Sequence, residues 1–243
     1  MIHIGDYWGR KYEYFRYYLP FRIRYGIRFV NPHHCMEAIR NPEMYTQPGF
    51  LPTIGNEVIW DIGSQYGDYA LIWSRCIRSV VIAFELNENN YIELQRNLML
   101  NDAWNVFACH SAIGNGEIIE YKMEGNMACP SANGIKVQSV KLDDLIKSDD
   151  DDVIVLDGLT LIEPNIIKID IEGFELEVLK GAKRVLSEKS IRLIIETHSS
   201  ALRKQVDEFL SELNYYPKFV GRTVKGEGWK DEITNVFYLK KVD

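Results

Sequence analysis

Side chains able to do chemistry recur in this sequence where a short apolar run gives way to polar residues. Asp61 stands near the end of Val58 to Ile62, and Glu85 closes the run that begins at Val80. Asp170 and Glu172 follow Ile166 to Ile169, and Glu196 and His198 follow Arg192 to Ile195. Carboxylates so placed can accept hydrogen bonds from ligand hydroxyls, balance a cation or take up a proton, and a histidine exchanges its proton near neutral pH. If the last two runs are adjacent parallel strands, Asp170, Glu172, Glu196 and His198 meet at one sheet edge. His198 is then the first choice as general base and Asp170 the second. Glu172 serves equally as catalyst or as cap of the helix that follows, and His198 has the alternative of a hydrogen-bonded loop residue. Carboxylates with one imidazole also suit a divalent metal such as magnesium or manganese. Strand-end acids are frequent without metal, so a metal is not favoured and no metal ligand is assigned.

The segment Asp61-Ile62-Gly63-Ser64-Gln65-Tyr66-Gly67 leaves the first apolar run and opens a helical stretch, the place where a doubly wound sheet holds a nucleotide-like ligand. Its glycines are spaced GxxxG, without the middle glycine that lets a backbone approach a pyrophosphate, which disfavours NAD. It has no GxxxxGK[ST] pattern, which disfavours ATP. An acid at this strand end suits a positively charged ligand. S-adenosylmethionine carries an ammonium and a sulfonium and no phosphate, and Asp61 meets that demand. The competing reading is that Gly63 and Gly67 serve only a tight turn and close strand–helix packing. Glu85, twenty-four positions after Asp61, is placed to accept from both ribose hydroxyls of an adenosine. Its alternative is an acid favoured by the dipole of the helix starting near Asn89.

These groups need a parallel sheet to bring them together. Short β-branched runs at 58–62, 80–85, 105–110, 166–171 and 192–197 alternate with helical stretches at 69–76, 89–100 and 174–186. That pattern predicts an α/β fold with a parallel sheet covered on both faces. Two further strands are expected at 215–220 and 236–240. An insert of extra strands is expected at about 116–140, and Asp149 to Asp152 read as a solvated loop. Ahead of this domain, placed at 56–243, residues 1–55 form an N-terminal extension. It has an amphipathic helix over 8–19, a strand over 21–29 with Arg22, Arg24 and Arg28 on one face, and a proline-punctuated connector with a short helix over 33–40.

The composition agrees: 243 residues, 46% hydrophobic and 26% charged, belong to a globular domain of enzyme size and exclude disorder, collagen and coiled coil. A net charge of −7 argues against a surface that wraps nucleic acid. Cys35, Cys76, Cys109 and Cys129 form no CxxC pair, so neither a zinc site nor a disulfide framework is indicated. No run nears the roughly 18 apolar residues of a membrane helix, and the charged, tyrosine-rich start is unlike a signal peptide, so a cytoplasmic protein is expected.

Asp61-Ile62-Gly63 with Gly67, Phe84-Glu85-Leu86-Asn87, Ala112-Ile113-Gly114-Asn115, Leu142-Asp143-Asp144-Leu145, Ile167 to Gly173 followed by Glu175 to Ala182, and Ile195-Glu196-Thr197-His198 occur in that order. Together, over roughly Asn56 to His198, they resemble the FkbM family of S-adenosylmethionine-dependent methyltransferases. The resemblance implies a class I methyltransferase fold, a Rossmann-like seven-stranded sheet that is mostly parallel with one antiparallel strand near its end. It also implies methyl transfer to an oxygen, commonly a hydroxyl of a sugar, glycan or other small molecule. By motif, Asp61, Gly63, Ser64, Tyr66 and Gly67 are similar to the methionine-side loop, Glu85 and Leu86 to the ribose site, and Ser111 and Ala112 to the adenine wall. Asp170 is shared between cofactor and catalysis. Ser64-Gln65 replaces the usual Ala-Asn, and Leu86 the usual Pro, without removing a needed group. No [ND]PP[YF] sequence for amine methylation and no Pro-Cys nucleophile is present. Two alternatives stand beside this reading: an RNA methyltransferase that uses the Arg- and Tyr-rich start, and a non-catalytic S-adenosylmethionine-binding module.

Overall fold

The computed structural model describes residues 27, 29, 30, 56–76, 78–146, 155–225 and 230–241. The expected helices over 8–19 and 33–40, most of the arginine strand and the acidic loop lie outside the described residues. The strands are β1 (Val58–Ile62), β2 (Val80–Glu85), β3 (Val106–His110), β4 (Ile118–Glu124), β5 (Met127–Pro130), β6 (Ile135–Gln138), β7 (Val155–Leu156), β8 (Leu159–Thr160), β9 (Ile166–Ile169), β10 (Arg192–Thr197), β11 (Tyr215–Lys225) and β12 (Glu232–Lys240). The helices are α1 (Asp68–Trp73), α2 (Glu88–Leu100), α3 (Leu142–Leu145), α4 (Glu175–Lys180), α5 (Lys183–Glu188) and α6 (Ser200–Glu212).

Seven strands form one sheet in the order β11-β12-β10-β9-β1-β2-β3. β10, β9, β1, β2 and β3 run parallel, and β12 is antiparallel to both β10 and β11. The four central parallel strands are buried on both faces, which their near-continuous apolar sequences require. Side-chain alternation divides the core between the faces. Ile59, Val81, Ala83, Ile166 and Ile194 meet α1, α2, Ile27 and Phe29 on one side. Trp60, Ile62, Ile82, Phe84, Ile167, Ile169, Leu193 and Ile195 meet the apolar sides of α3 to α6 on the other.

Several boundaries differ from the sequence reading for local reasons. The helix expected over 174–186 is two helices that meet at Gly181. A Cβ there would lie 2.0 Å from the Gly114 carbonyl oxygen, so only glycine lets the chains approach. The insert is a three-stranded antiparallel sheet, β5-β4-β6. α6 went unpredicted, although Ser199 caps it by accepting from the Leu202 amide, and Leu202, Val206, Leu210 and Leu213 line its inner face.

α5 has no cap of its own. Asp143 supplies one from α3, its two carboxylate oxygens accepting from the amides of Arg184 and Val185 at 3.0 Å each. The neighbouring Asp144 is exposed. Removal of a capping acid costs about 0.5–2 kcal/mol. Asp143→Ala should therefore lower unfolding stability in urea by that amount, while Asp144→Ala should leave it within about 0.5 kcal/mol of the parent.

Candidate active site

The carboxyl ends of β1, β2, β3, β9 and β10 open on a cavity of about 260 Å³. Its lining includes Gly63, Gln65 and Asp68 from the loop after β1, Glu85 and Leu86 from the end of β2, and Ser111 and Ala112 after β3. Lys168, Asp170, Glu172 and Phe174 come from β9 and the turn beyond it, Glu196 from β10, Asn126 from the β4–β5 turn, and Met127 and Ala128 from β5. A parallel sheet must place the groups of β1, β2, β3, β9 and β10 on one edge, because these strands all point the same way.

The loop after β1 is held by its neighbours. The amides of Gly63 and Ser64 both donate to the Phe84 carbonyl at 3.0 Å, and the Ser64 hydroxyl reaches the same oxygen at 3.2 Å. Gly63 has φ +79°, and a Cβ on it would meet the Asp170 carbonyl oxygen at 1.9 Å. This is a second place where glycine is obligatory. Gln65, with φ +50°, aims its amide at Glu85 Oε2, 2.9 Å away. Glu85 also accepts from the Asn87 amide at 2.8 Å and from Asn90 Nδ2 at 3.3 Å. Burial pushes its carboxyl above the ordinary carboxylate range in spite of these three donors. A carboxylate has about four acceptor sites, so Glu85 keeps capacity for a ligand hydroxyl.

Beneath this loop lies an ion pair. Asp61 and Lys168 are direct cross-strand partners of β1 and β9 and are 1% and 3% exposed. Lys168 Nζ stands 3.0 Å from Asp61 Oδ1, 3.0 Å from the Gly63 carbonyl oxygen and 3.4 Å from Asp170 Oδ2. The contact between Asp61 and Lys168 is a buried, charge-assisted ion pair. Burial raises the Asp61 carboxyl, with Lys168 pulling the other way. For Lys168, burial works against the ammonium, but Asp61, Asp170 and Asp68 outweigh it and lift the amine above its usual range. Burial also pushes Asp68 up to about 7, Lys168 opposing and Asp61 adding to the rise.

The ends of β9 and β10 carry the second charged group. His198 is 2% exposed, and Glu175 Oε1 accepts from its Nδ1 at 2.8 Å. The same Glu175 oxygen accepts from the amides of Ile171 and Gly173 at 3.3 and 3.1 Å. Those bonds fix a turn in which Glu172 adopts φ +59°. His198 Nε2 faces Glu172 Oε2 at 3.3 Å, Glu196 Oε1 at 3.5 Å and Asp170 Oδ1 at 3.6 Å. Burial disfavours the charged ring, yet Glu175 first and then Glu172 and Asp170 raise its pKa to about 10. Lys230 Nζ sits 2.5 Å from Glu172 Oε2, and Asn235 Nδ2 donates to Glu196 Oε2 at 2.6 Å.

Of the residues singled out in the sequence, Gly63, Glu85, Leu86, Ser111, Ala112, Asp170 and Glu172 line the cavity. Asp61, Ser64, Tyr66, Gly67 and His198 do not. Asp61 lies under the loop against Lys168, and Ser64 is buried on the Phe84 carbonyl. Tyr66 belongs to the core beside α1. Gly67, with φ +81°, starts α1, and His198 stands behind the carboxylates. Sequence reasoning passed over Gln65, Asp68, Asn90, Lys168 and the insert residues Asn126 to Ala128. The signal for Lys168 was present as a lone charge inside Ile166-Ile167-Lys168-Ile169, which demands a buried partner. Asn126 had no such signal; its carbonyl accepts from Asn90 Nδ2 at 3.0 Å and ties the insert to α2.

Residues 61–217 match the family model described as the Methyltransferase FkbM domain. The chain is similar to a hexuronic acid methyltransferase, AglP, of Haloferax volcanii, with 31% identity over 164 residues, 65% of this chain and 62% of that protein. It thus spans less than two thirds of that relative's length. Among solved structures, precorrin-6y C5,15-methyltransferase of Geobacter metallireducens GS-15 superposes with a TM-score of 0.54 at 15% identity, covering 89% of this chain and 94% of that one. The methyltransferase FkbM of Methylobacillus flagellatus KT gives 0.52 at 20% identity, covering 98% and 62%. At these identities the likeness shows the class I methyltransferase fold.

The buried pair yields a stability test. Lys168→Met strands Asp61 in the core and should cost about 3–5 kcal/mol of unfolding free energy in denaturant titration. Asp61→Leu combined with Lys168→Met removes both charges and should recover most of that loss. A double variant no more stable than the single one would show that the pair is not what Lys168 balances.

Proposed function

The chain belongs to the FkbM methyltransferase family, and from that premise we propose that it transfers a methyl group from S-adenosylmethionine to a hydroxyl oxygen of a sugar, glycan or other small molecule. One observation carries the proposal: a single cavity has a ribose-type acid, Glu85, at one end and the carboxylates Asp170, Glu172 and Glu196 at the other. The hexuronic acid methyltransferase among its relatives favours a sugar as acceptor.

The residues around the cavity fit the donor. Glu85 has acceptor capacity left for a ribose hydroxyl. Ser111, Ala112 and Leu86 offer a flat, largely apolar wall for an adenine, and Asp68 faces the cavity where a cationic amino-acid end would lie. In this reading Asp68 takes the charge-balancing role expected of Asp61, which instead holds Lys168 beneath the loop. Bound S-adenosylmethionine supplies an electrophilic methyl carbon on a sulfonium. The chain's own residues hold that carbon in line with the acceptor oxygen, exclude water with the β4–β5 turn and receive the hydroxyl proton. As the new C–O bond forms and the C–S bond breaks, the proton passes to the carboxylate wall. Asp170 is its first member, because its backbone abuts Gly63 of the donor loop. His198, buried behind that wall, acts as a positioning residue and not as the base.

A calorimetric titration of the folded protein with S-adenosylmethionine tests the donor assignment directly, and absence of affinity would end it. Glu85→Gln should weaken that affinity at least about tenfold, in line with the loss of charged hydrogen bonds worth about 1.5–3 kcal/mol. With labelled donor and a panel of hexoses, hexuronates, oligosaccharides and RNA, label should enter the sugar fraction. On the accepted sugar, Asp170→Asn should lower kcat by about 10²–10⁴ while donor affinity changes little.

A further inference from the structure

Behind the wall at the ends of β9 and β10 stands a histidine that proton transfer does not use. The His198 ring is fixed through Nδ1, whose partner Glu175 is fully buried. That contact aims Nε2 into a group of three carboxylates, from which it stands 3.3 to 3.6 Å away. Charge-assisted N–H···O bonds measure about 2.7–2.9 Å, so each approach is long. Nε2 makes no hydrogen bond to any described residue. The nearest oxygen, Glu172 Oε2, is held by Lys230. The second nitrogen of a ring only 2% exposed therefore faces Asp170 Oδ1 and Glu196 Oε1 at 3.6 and 3.5 Å.

We propose that Asp170, Glu196 and His198 Nε2 bind one divalent cation of the kind that accepts mixed carboxylate and imidazole ligands, with Mn²⁺ as its probe. The three ligand atoms lie within 4.8 Å of one another. Ligands about 2.1 Å from one ion stand about 3.0 Å apart at right angles and about 3.4 Å apart at tetrahedral angles. The 3.5 and 3.6 Å separations from Nε2 need only a few tenths of an ångström of closure. Glu175 completes the pattern, since metal-bound histidines commonly donate their other ring N–H to a carboxylate that orients them. This explains why a fully buried glutamate backs a histidine that does not touch the cavity. Lys230 keeps Glu172 out of the ligand set, which leaves one nitrogen and two carboxylates, a set that manganese accepts and that purely oxygen-seeking ions have no need of. Asp170 and Glu196 also line the cavity, so open coordination positions would face it. An ion there would hold the acceptor oxygen and lower its pKa. That role rests on the methyltransferase reading, whereas the binding site does not.

The test uses the full-length protein stripped with chelator and titrated with Mn²⁺, read by electron paramagnetic resonance. One ion per chain is expected, with spin-echo modulation from a coordinated imidazole nitrogen. Glu196→Gln and His198→Gln should each weaken Mn²⁺ binding at least about tenfold, and His198→Gln should abolish the nitrogen signal. Because His198→Gln disturbs a buried residue, the nitrogen signal of the unsubstituted protein stands as an independent readout. Failure of the folded protein to bind Mn²⁺, binding without nitrogen modulation, or affinity unchanged in both variants would overturn the site. Titration of the same samples with S-adenosylhomocysteine separates the two readings. Nucleoside binding without Mn²⁺ binding ends the cation site alone, and a nitrogen-coordinated Mn²⁺ without nucleoside binding supports the cation site and ends only the donor reading.

Discussion

The active edge of this protein depends on a charged pair placed where the sheet is otherwise apolar. Asp61 and Lys168 face each other across β1 and β9, one step beyond Ile59 and Ile166 on the same face. Taking two charges out of water is costly, and their attraction offsets that cost only with good geometry and further partners. Lys168 finds those partners in the Gly63 carbonyl and Asp170. One ammonium thereby joins the loop after β1 to the turn after β9, the two segments that must lie edge to edge if donor and acceptor are to meet. An apolar pair at this register would suit the strands equally well, but it would offer no donor to the Gly63 carbonyl. The pair thus contributes position more than stability.

A second group of charges does for the other half of the edge what Lys168 does for the first. The Glu175 carboxylate gathers the amides of Ile171 and Gly173 and the ring of His198, and so holds Glu172 in a left-handed conformation that costs of order 1–3 kcal/mol. Such strain persists only where surrounding bonds over-determine it. The result is a wall in which three carboxylates face a cavity without dispersing into solvent. The insert closes the opposite side. Asn126 binds Asn90, and Asn90 binds Glu85, so the β4–β5 turn is tied to the same acid that receives the Gln65 amide.

Much of this was legible in the residues, because a parallel sheet obeys two strong rules: buried strands read as apolar runs, and ligands collect where those runs end. The five parallel strands and the acids at their tips follow from these rules alone. What the residues alone left open is which of these acids reaches the cavity. A strand-end acid in the sequence does not say how deep it lies. Asp61 is on the same face as Ile59 and its partner Ala83, as is Glu85, but it stands one residue inside β1 and lies under the loop against Lys168, while Asp68, which reads as an ordinary first-turn acid of a helix, faces the cavity. The α4–α5 break was hidden because the helical pattern runs on across Gly181, and the need for glycine there comes from Gly114, distant in sequence.

The placement of His198 sets residue type against surroundings. A histidine at a strand end beside carboxylates invites assignment as a base, and its chemistry permits that in isolation. Burial changes the matter, since one ring nitrogen is committed to Glu175 and the other points at the rear of the carboxylates that line the cavity. A group in that situation can reach an acceptor only through Asp170 or Glu196. In the reading proposed above it therefore acts by fixing those carboxylates in place. The turn bearing Glu172, the helix that begins with Glu175 and the strand ending at His198 are in this sense one unit, and the sequence Asp170-Ile171-Glu172-Gly173-Phe174-Glu175 is what that unit requires: two acids for the wall, a glycine to pass the turn and a third acid to hold both from behind.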